Sequence, residues 1–278
     1  MPNDRAKTLA PLLAACTGLW LAGCVTTGPV ERTFDGADVR IPKDIIEAHN
    51  LDFTAAFAAA RAAAPGGRRP QLGKARLDVL AAKLPPGAKL PVVVYFHGCA
   101  GMVIPSQQHL DWLEGLEGFV TIAPDSFARQ RPVHCFSDYT VDISLSAEVG
   151  AMRQSEINHA LRQVRAMPWV DRNNIFLMGH SQGASTVAGY RGEVRVRGRV
   201  LINGGCHDVM GGDGLRAGEA VLSFTSGRDP WFKVYTTHCR NFVLKHGGTS
   251  VYDANSRSHN LILEHWPVVR KFFAENRR

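Results

Sequence analysis

Apolar positions along the chain fall into short continuous runs that alternate with longer stretches of helical periodicity. Continuous apolar runs of about four to eight residues are typical of strands buried on both faces, and an apolar period of about 3.6 residues is typical of amphipathic helices. The pattern predicts strands over 76–84, 90–96, 119–123, 175–178, 200–203, 220–225 and 249–252. It predicts helices over 45–64, 106–116, 147–167, 182–190, 230–246 and 261–275.

The predicted elements alternate strand and helix over most of the chain. Such alternation is typical of a mostly parallel central sheet whose two faces are covered by helices, so the sequence predicts an α/β fold. In sheets of this kind ligands bind at the carboxyl ends of the strands. The loops that follow the predicted strands are therefore where a functional site is expected.

A separate apolar run lies at the amino terminus, where residues 9–22 follow a short stretch that contains Arg5 and Lys7. The run is shorter than the ~20 apolar residues of a membrane-spanning helix and is typical of a secretory signal. It ends in Leu21-Ala22-Gly23-Cys24, which resembles the bacterial lipobox. The resemblance implies cleavage before Cys24, a lipid on that cysteine, and a domain anchored at the periplasmic or cell-surface side of a membrane. An ordinary cleaved signal is the alternative.

Composition and charge exclude several classes of protein. The chain has 278 residues, of which 45% are hydrophobic and 21% are charged, as in folded globular proteins. We predict a signal peptide over 1–23, an entry segment over 24–70 and one large domain over 71–278. The formal net charge is +7, but no zinc-finger spacing, repeat or basic tract accompanies it, so no nucleic-acid partner is expected. Four arginines are expected on a solvated face: Arg191, Arg195, Arg197 and Arg199.

The motif Gly179-His180-Ser181-Gln182-Gly183 stands between the strand predicted over 175–178 and the helix predicted over 182–190. The pattern G-x-S-x-G has glycines on both sides because the chain turns sharply from strand to helix, which lifts the serine hydroxyl above the sheet edge. The pattern alone is weak, but it stands here at the position it requires. Ser181 is therefore predicted to be a nucleophile; the alternative is a glycine-rich turn with an idle serine.

A serine hydroxyl needs a base and an orienting acid, and in this topology the acid and then the histidine follow the nucleophile along the chain. Asp229 follows the strand predicted over 220–225, and His259 follows the last predicted strand. We predict Asp229 as the acid and His259 as the base. The competing acids and histidines are Asp208, Asp253, His207, His238, His246 and His265.

Acyl transfer also needs backbone N–H donors for the oxyanion that forms on the substrate. One predicted donor is the amide of Gln182, next after the nucleophile. The other is expected after the strand 90–96, in His97-Gly98-Cys99-Ala100-Gly101, where we predict Cys99, with Ala100 as second choice. His97 is assigned a structural role on this interpretation.

Four cysteines follow the amino-terminal region, and in an oxidising compartment four cysteines suggest two disulfides. Sequence alone does not choose among the possible pairings. We favour Cys99 with Cys135 and Cys206 with Cys239, because each pair lies on loops at the ends of neighbouring predicted strands. The second pair, with the histidine beside each cysteine, is also a ligand set that suits zinc; adjacent ligands lack the usual spacer, so no metal is predicted.

Several of these segments together resemble the α/β-hydrolase superfamily, and in particular its dienelactone hydrolase-like branch. The segments that carry the resemblance are Phe96-His97-Gly98-Cys99-Ala100-Gly101, 121–127, 179–183, Asp229-Pro230 and Ser258-His259. The resemblance implies an α/β-hydrolase fold with about eight strands, a Ser-His-Asp triad and no cofactor. The resemblance implies a cysteine nucleophile in true dienelactone hydrolases at the position where this chain has Ser181. Because the chain departs from them at this residue, a general ester hydrolase is expected.

The sequence as a whole predicts an exported, lipid-anchored serine hydrolase that cleaves carboxylic esters, whether small molecules or polymers. Trp231, beside the acid, and Phe127, after the strand 119–123, are the predicted substrate contacts, and both could equally serve packing. A peptidase or amidase of the same fold is the alternative within the enzyme class. A non-catalytic envelope lipoprotein that keeps the fold for binding is the alternative from another class.

Overall fold

The structure, a computed structural model, describes residues 53–63, 75–84, 86–129, 147–206, 214–231, 239–261 and 263–278. Its strands are β1 (Arg61–Ala63), β2 (Ala75–Arg76), β3 (Leu90–Phe96), β4 (Val120–Ala123), β5 (Val170–His180), β6 (Gly198–Ile202), β7 (Ala220–Ser226) and β8 (Thr249–Asp253). Its helices are α1 (Phe53–Ala58), α2 (Leu77–Lys83), α3 (Ile104–Glu114), α4 (Ala147–Ala166), α5 (Gln182–Gly189), α6 (Arg240–Lys245) and α7 (Trp266–Asn276). Among these helices, none combines the length and apolar character needed to cross a bilayer.

The described strands form one sheet in the order β2-β1-β4-β3-β5-β6-β7-β8. Strands β3 to β8 run parallel, and β1 pairs antiparallel with both β2 and β4. The predicted α/β-hydrolase fold, with a mostly parallel sheet of about eight strands, is confirmed. Strand β1 lies within the segment 24–70 that was expected to precede the domain, so this part of the segment belongs to the same sheet.

Both faces of the sheet are covered, as predicted. Successive side chains of a strand point to opposite faces, and the apolar run of β3 supplies both. Val92 and Val94 pack with Leu161 of α4 on one face. Val93 packs with Phe273 of α7 on the other face. Because residues of β3 are buried on both sides, this strand reads as a continuous apolar run in the sequence.

The register of the strands places the candidate functional loops at one edge of the sheet. Phe96, the last residue of β3, pairs with Gly179 of β5. Ser226, the last residue of β7, pairs with Asp253 at the end of β8. The loops that leave these four strands therefore begin at the same carboxyl edge.

Several predictions of the type or the bounds of an element were wrong. Most of the segment 76–84, predicted to be a strand, forms helix α2 (Leu77–Lys83). Its first residues alternate as in a strand, but leucine, alanine and lysine are strong helix formers. The helix predicted over 45–64 is described only from residue 53; there α1 ends at Ala58, and Arg61–Ala63 form β1 because they pair with β4. Strand β5 begins at Val170 rather than 175, since polar residues interrupt its apolar pattern.

Arg199 does not lie on the solvated face expected for it. Its side chain is buried in β6 and donates from Nη1 to the carbonyl oxygens of Val187 and Ala188, 2.7 and 3.2 Å away. These carbonyls belong to the last turn of α5, where a cation is favourable. Nη2 donates to Glu219, 2.5 Å away, and to Gly214. Arg199 therefore caps the carboxyl end of α5 and ties it to the sheet.

Candidate active site

Ser181 occupies the turn between β5 and α5 in a backbone conformation that residues other than glycine rarely adopt. Its φ is 55° and its ψ is −122°. A Cβ on Gly179 would lie 2.4 Å from the Gly183 carbonyl oxygen, and a Cβ on Gly183 would lie 2.2 Å from the Phe96 carbonyl oxygen. Both positions therefore require glycine, because backbone atoms occupy the space of any side chain. The turn has the geometry that the G-x-S-x-G pattern predicts.

Asp229 and His259 come together at the same edge of the sheet. His259 donates from Nδ1 to Oδ2 of Asp229 over 2.7 Å. The Asp229 side chain is 1% exposed and that of His259 is 16% exposed, so the carboxylate is shielded while the imidazole reaches the surface. The remaining carboxylate oxygen of Asp229 accepts the backbone N–H of Trp231 at 2.8 Å. Asp229 thus holds the Nδ1 side of the His259 ring in a fixed orientation.

The competing residues that the structure describes have other partners. Oδ1 of Asp253 accepts the backbone N–H groups of Asn255 and Ser256 in the turn after β8. His265 stacks on Phe224 with ring centroids 5.8 Å apart. His246 contacts Phe242 on α6, away from this edge. Residues 207, 208 and 238 lie outside the described residues.

A cleft of about 210 Å³ opens at this edge. Ser181, His259 and Trp231 line it, together with the loop that follows β3. The described residues of its wall are Gly98, Cys99, Ala100, Gly101, Val103, Pro105, Ser106, His180, Ser181, Trp231, His259 and Asn260. The predicted nucleophile, base and one substrate contact therefore share one cavity, and the predicted acid lies directly behind the base.

The two predicted substrate contacts differ in position. Trp231 is 48% exposed in the wall of the cleft, and its ring lies 5.8 Å from that of His259. Phe127 is not among the described residues of the wall. A Cβ on Gly101 would lie only 2.9 Å from the Phe127 ring. The centroids of the Phe127 and His97 rings lie 5.7 Å apart, and the two rings are nearly perpendicular. Phe127 therefore packs behind the loop that follows β3.

The loop after β3 lies directly against the nucleophile. A Cβ on Gly98 would lie 3.1 Å from the Cβ of Ser181. Cys99 follows in the wall of the cleft, and Gln182 is the first residue of α5. The two amides predicted as oxyanion donors are thus on the two chain segments that flank Ser181.

His180, which the sequence analysis did not single out, is the neighbour of the predicted base. Its Nε2–H donates to the backbone carbonyl oxygen of His259 over 2.8 Å, and the two rings lie 5.0 Å apart. Burial, followed by the charge of His259, lowers the pKa of His180 to about 4. The His180 ring is therefore neutral at ordinary pH and fixes the main chain that carries the base. Its place within the 179–183 motif gave no sign of this role.

A buried cluster of charges behind the loop after β3 was also missed. Arg153 and Arg129 both contact the carboxylate of Glu156, at 2.7 and 2.8 Å, and each side chain is no more than 2% exposed. Burial acts to raise the pKa of Glu156, but the two arginines more than offset it and hold that pKa below its usual value. Arg153 and Glu156 are one helical turn apart on α4. Because this spacing is equally common on exposed helix surfaces, it does not indicate a buried pair.

Cysteine pairing agrees with one prediction and leaves the other outside the described residues. Cys206 and Cys239 form a disulfide. The zinc alternative for this pair loses both thiolates. Cys99 is also disulfide-bonded, and its partner lies outside the described part of the chain. The pairing of Cys99 with Cys135 therefore stays a prediction, as does the lipid on Cys24, because 24 and 135 are both outside the described residues.

Within the described residues, Asp253, Glu264 and His265 could in principle hold a metal ion, since their ligand atoms lie within 4.8 Å of one another. Asp253 already binds two amides, and Glu264 is exposed. The chemistry available at Ser181, Asp229 and His259 needs neither a metal nor a cofactor. This cluster is therefore not assigned to the site.

The sheet order and the serine at a tight strand-to-helix turn define the class of α/β-hydrolases. The model of the dienelactone hydrolase family matches residues 78–238. This match covers more than half of the chain, so the chain belongs to the dienelactone hydrolase family and is a hydrolase.

Solved structures share the fold at low sequence identity. A dienelactone hydrolase-like promiscuous phosphotriesterase from metagenomic libraries is 19% identical, covering 68% of this chain and 87% of its own, with a TM-score of 0.51. A thermophilic esterase from Thermogutta terrifontis with bound butyrate is 18% identical, covering 70% of this chain and 86% of its own, with a TM-score of 0.50. No curated protein matches the chain.

Proposed function

We propose that this hydrolase cleaves carboxylic esters through Ser181, His259 and Asp229 and a covalent acyl-enzyme. The hydrogen bond of 2.7 Å between His259 Nδ1 and Asp229 Oδ2, beside a strained serine in the same cleft, carries the proposal. Two structures that share the fold are described as an esterase and a phosphotriesterase, which is consistent with attack by an activated serine on an electrophilic ester centre. Membership of the family shows that the chain is a hydrolase. The geometry of Ser181, His259 and Asp229 supports ester cleavage as its reaction.

In the first half of the reaction, the Ser181 hydroxyl oxygen attacks the carbonyl carbon of the ester while His259 Nε2 takes the hydroxyl proton. Asp229 stabilises the imidazolium that forms and keeps its ring in place. The tetrahedral intermediate then expels the alkoxide, which takes the proton from His259 and leaves as an alcohol. The acyl group remains on Ser181.

In the second half, water attacks the acyl carbon and gives its proton to His259. Breakdown of the second tetrahedral intermediate returns that proton to Ser181 and releases the carboxylic acid. In both halves the developing oxyanion is bound by the backbone N–H groups of Gln182 and Cys99, which flank the nucleophile. Trp231 contributes an apolar wall beside the reacting carbonyl.

The test is hydrolysis of p-nitrophenyl esters, from acetate to long acyl chains, by the purified full-length chain. Removing the nucleophile with Ser181→Ala should lower kcat by a factor on the order of 10⁵ or more, because triad members act as a unit. Ser155→Ala is the matched control, since Ser155 is an exposed helix residue whose hydroxyl donates to the Ala151 carbonyl oxygen of the same helix. The profile of kcat/KM against acyl length would then define the acyl group accepted.

The alternatives give different results in the same assay. An amidase or peptidase would hydrolyse p-nitroanilides or peptides faster than esters. A non-catalytic lipoprotein would turn over neither and would form no adduct with a serine-reactive phosphonate. Loss of activity in Ser155→Ala equal to that in Ser181→Ala, or full activity in Ser181→Ala, would contradict the proposed nucleophile.

We also propose that the chain is exported and held at a membrane by a lipid on Cys24, as the amino-terminal pattern indicates. Mass spectrometry of the mature protein should find Cys24 as the first residue with acyl chains attached. Cys24→Ala should move the protein from the membrane fraction to the soluble fraction. An unmodified amino terminus at a different residue would support an ordinary signal peptide instead.

A further inference from the structure

Two carbonyl groups in the loop that follows β3 accept hydrogen bonds from donors that fix their orientation. The His97 carbonyl oxygen accepts Nη2–H of Arg153 over 2.8 Å. The Gly98 carbonyl oxygen accepts Nδ1–H of His97 over 2.6 Å and the backbone N–H of Gly101 over 3.1 Å. The orientation of the peptide between Gly98 and Cys99 is therefore held by two donors on its carbonyl side.

The hydrogen bonds of His97 determine which ring nitrogen carries its proton. The backbone N–H of Ser126 donates to Nε2 over 3.1 Å, and a ring nitrogen that accepts a hydrogen bond has no proton of its own. The proton is therefore on Nδ1, where it is donated to Gly98. His97 is buried, and this burial, with the nearby charge of Arg153, lowers its pKa to about 3. The ring is thus neutral and held in one tautomer.

The direction of this peptide fixes the direction of the Cys99 amide. In a trans peptide the C=O and the N–H point to opposite sides. Since the Gly98 oxygen faces His97 and Gly101, the Cys99 N–H faces the other way. Gly98 lies against Ser181, and both Gly98 and Cys99 line the cleft. The amide is therefore directed to the side on which an oxyanion would form.

We propose that His97 is a positioning residue for the oxyanion: its Nδ1–H holds the Gly98 carbonyl and so aims the Cys99 N–H into the cleft. The inference rests on the proposed function, because the oxyanion arises only if Ser181 attacks a carbonyl. His97 does not touch the reacting atoms, and it acts through one peptide group. The role goes beyond the structural one that the sequence suggested.

The groups that surround His97 hold it in the required state. Ser126, which donates its amide to Nε2, also donates its hydroxyl to Glu156 at 2.7 Å. Arg153 bonds Glu156, Ser126 and the His97 carbonyl oxygen. The edge of the Phe127 ring covers the imidazole. A second proton on His97 would break the bond from Ser126 and place a cation beside Arg153. Burial and the charge of Arg153 oppose that proton and outweigh the charge of Glu156, which favours it.

The test compares three substitutions that differ only in which hydrogen bond survives. Asn places an amide nitrogen near the position of Nδ1, Gln reaches the position of Nε2, and Phe keeps a ring without a donor. We expect His97→Phe and His97→Gln to lower kcat by about 10- to 100-fold, less than the ~10²- to 10³-fold typical of deleting a donor, with KM within about 3-fold. His97→Asn should recover most of kcat.

Activity is expressed per competent site, counted by phosphonate titration, so that misfolded protein does not lower it. His246→Phe, directly after α6 and not among the described residues of the cleft wall, is the control for a histidine-to-phenylalanine change. Equal losses in the Asn and Gln variants, or full kcat in His97→Phe, would overturn the proposal. A purely structural role would reduce the number of titratable sites and leave kcat per site unchanged.

A second measurement separates failure of this inference from failure of the proposed function. Nitrogen-15 NMR of labelled histidines in the full chain should show His97 with a protonated Nδ1 and a bare Nε2 from pH 7 down to about 4.5. If the wild type hydrolyses no ester, the proposed function fails by itself and this role fails with it. If the wild type is active but His97 carries its proton on Nε2, or becomes doubly protonated above about pH 5, only the positioning role fails.

Discussion

At the scale of single residues, the site depends on groups that hold its functional atoms from behind. Asp229 holds His259 through the ring, and His180 holds it through the main chain. His97 holds the peptide group between Gly98 and Cys99 through the Gly98 carbonyl oxygen. His97 and His180 are both buried and neutral, so each can donate one hydrogen bond in a fixed direction without a competing proton.

His180→Phe should lower kcat for ester hydrolysis by about 10-fold or more, because the ring keeps its volume but no longer donates to the His259 carbonyl. His180→Gln, whose amide can reach the same carbonyl, should retain more activity. Steady-state kinetics of both variants checks this, with KM expected to change by less than about 3-fold. Equal activity of the Phe variant and the wild type would mean that the hydrogen bond to His259 does not position the base.

At the scale of elements, helix α5 follows the proposed nucleophile, Ser181, at its amino end and is tied to the sheet at its carboxyl end. The helix begins at Gln182, and its first turn packs so closely on β3 that only glycine fits at position 183. Its carboxyl end is capped by Arg199 from β6. The helix is therefore fixed to β3 at its amino end and to β6 at its carboxyl end.

Arg199→Met should destabilise the protein by about 3 to 5 kcal/mol, because the carbonyls of α5 lose their donor and Glu219 is left buried without its partner. Urea denaturation measures the change. Arg195→Met is the matched control, since Arg195 is exposed four residues earlier in the chain, and should stay within about 0.5 kcal/mol of the wild type. A small effect in the first variant would mean that water or a rearranged loop replaces the guanidinium.

Elements were predictable from the sequence where one apolar pattern decides them. The run 90–96 matches β3 residue for residue, because a strand buried on both faces has no polar position to obscure it. Strand β1 could not be predicted, since three residues of Arg-Ala-Ala carry no strand preference and are a strand only through pairing with β4. The order of Ser181, Asp229 and His259 followed from topology. The roles of His97 and His180 did not, because burial decides them and depends on the folded chain.

At the scale of the whole molecule, three buried histidines make stability depend on pH. Burial lowers the pKa of His97 to about 3 and that of His180 to about 4, and it also lowers the pKa of His109. In the unfolded chain these groups bind protons near pH 6.5, so between that pH and the folded values the unfolded state binds more protons. Stability is therefore complete above about pH 6.5 and falls as the pH is lowered.

The free energy of unfolding should fall by about 2 to 3 kcal/mol for each of His97 and His180 between pH 7 and pH 4.5. Burial is the main cause of both shifts; Arg153, Arg129 and Glu156 also face His97, whereas His259, Asp229 and His109 face His180. Urea midpoints measured at pH 7, 5.5 and 4.5 check the slope. In His97→Asn the slope should become shallower, and an unchanged slope would show that other groups cause the acid sensitivity.

The disulfide between Cys206 and Cys239 encloses β7 and the loop that carries Asp229, a separation of 33 residues along the chain. A protease that cuts the backbone once inside this ring cannot divide the molecule. The fragment with Ser181 and the fragment with His259 remain covalently joined, with the acid on one of them. A nicked enzyme can therefore keep all three residues in one molecule until the disulfide is reduced.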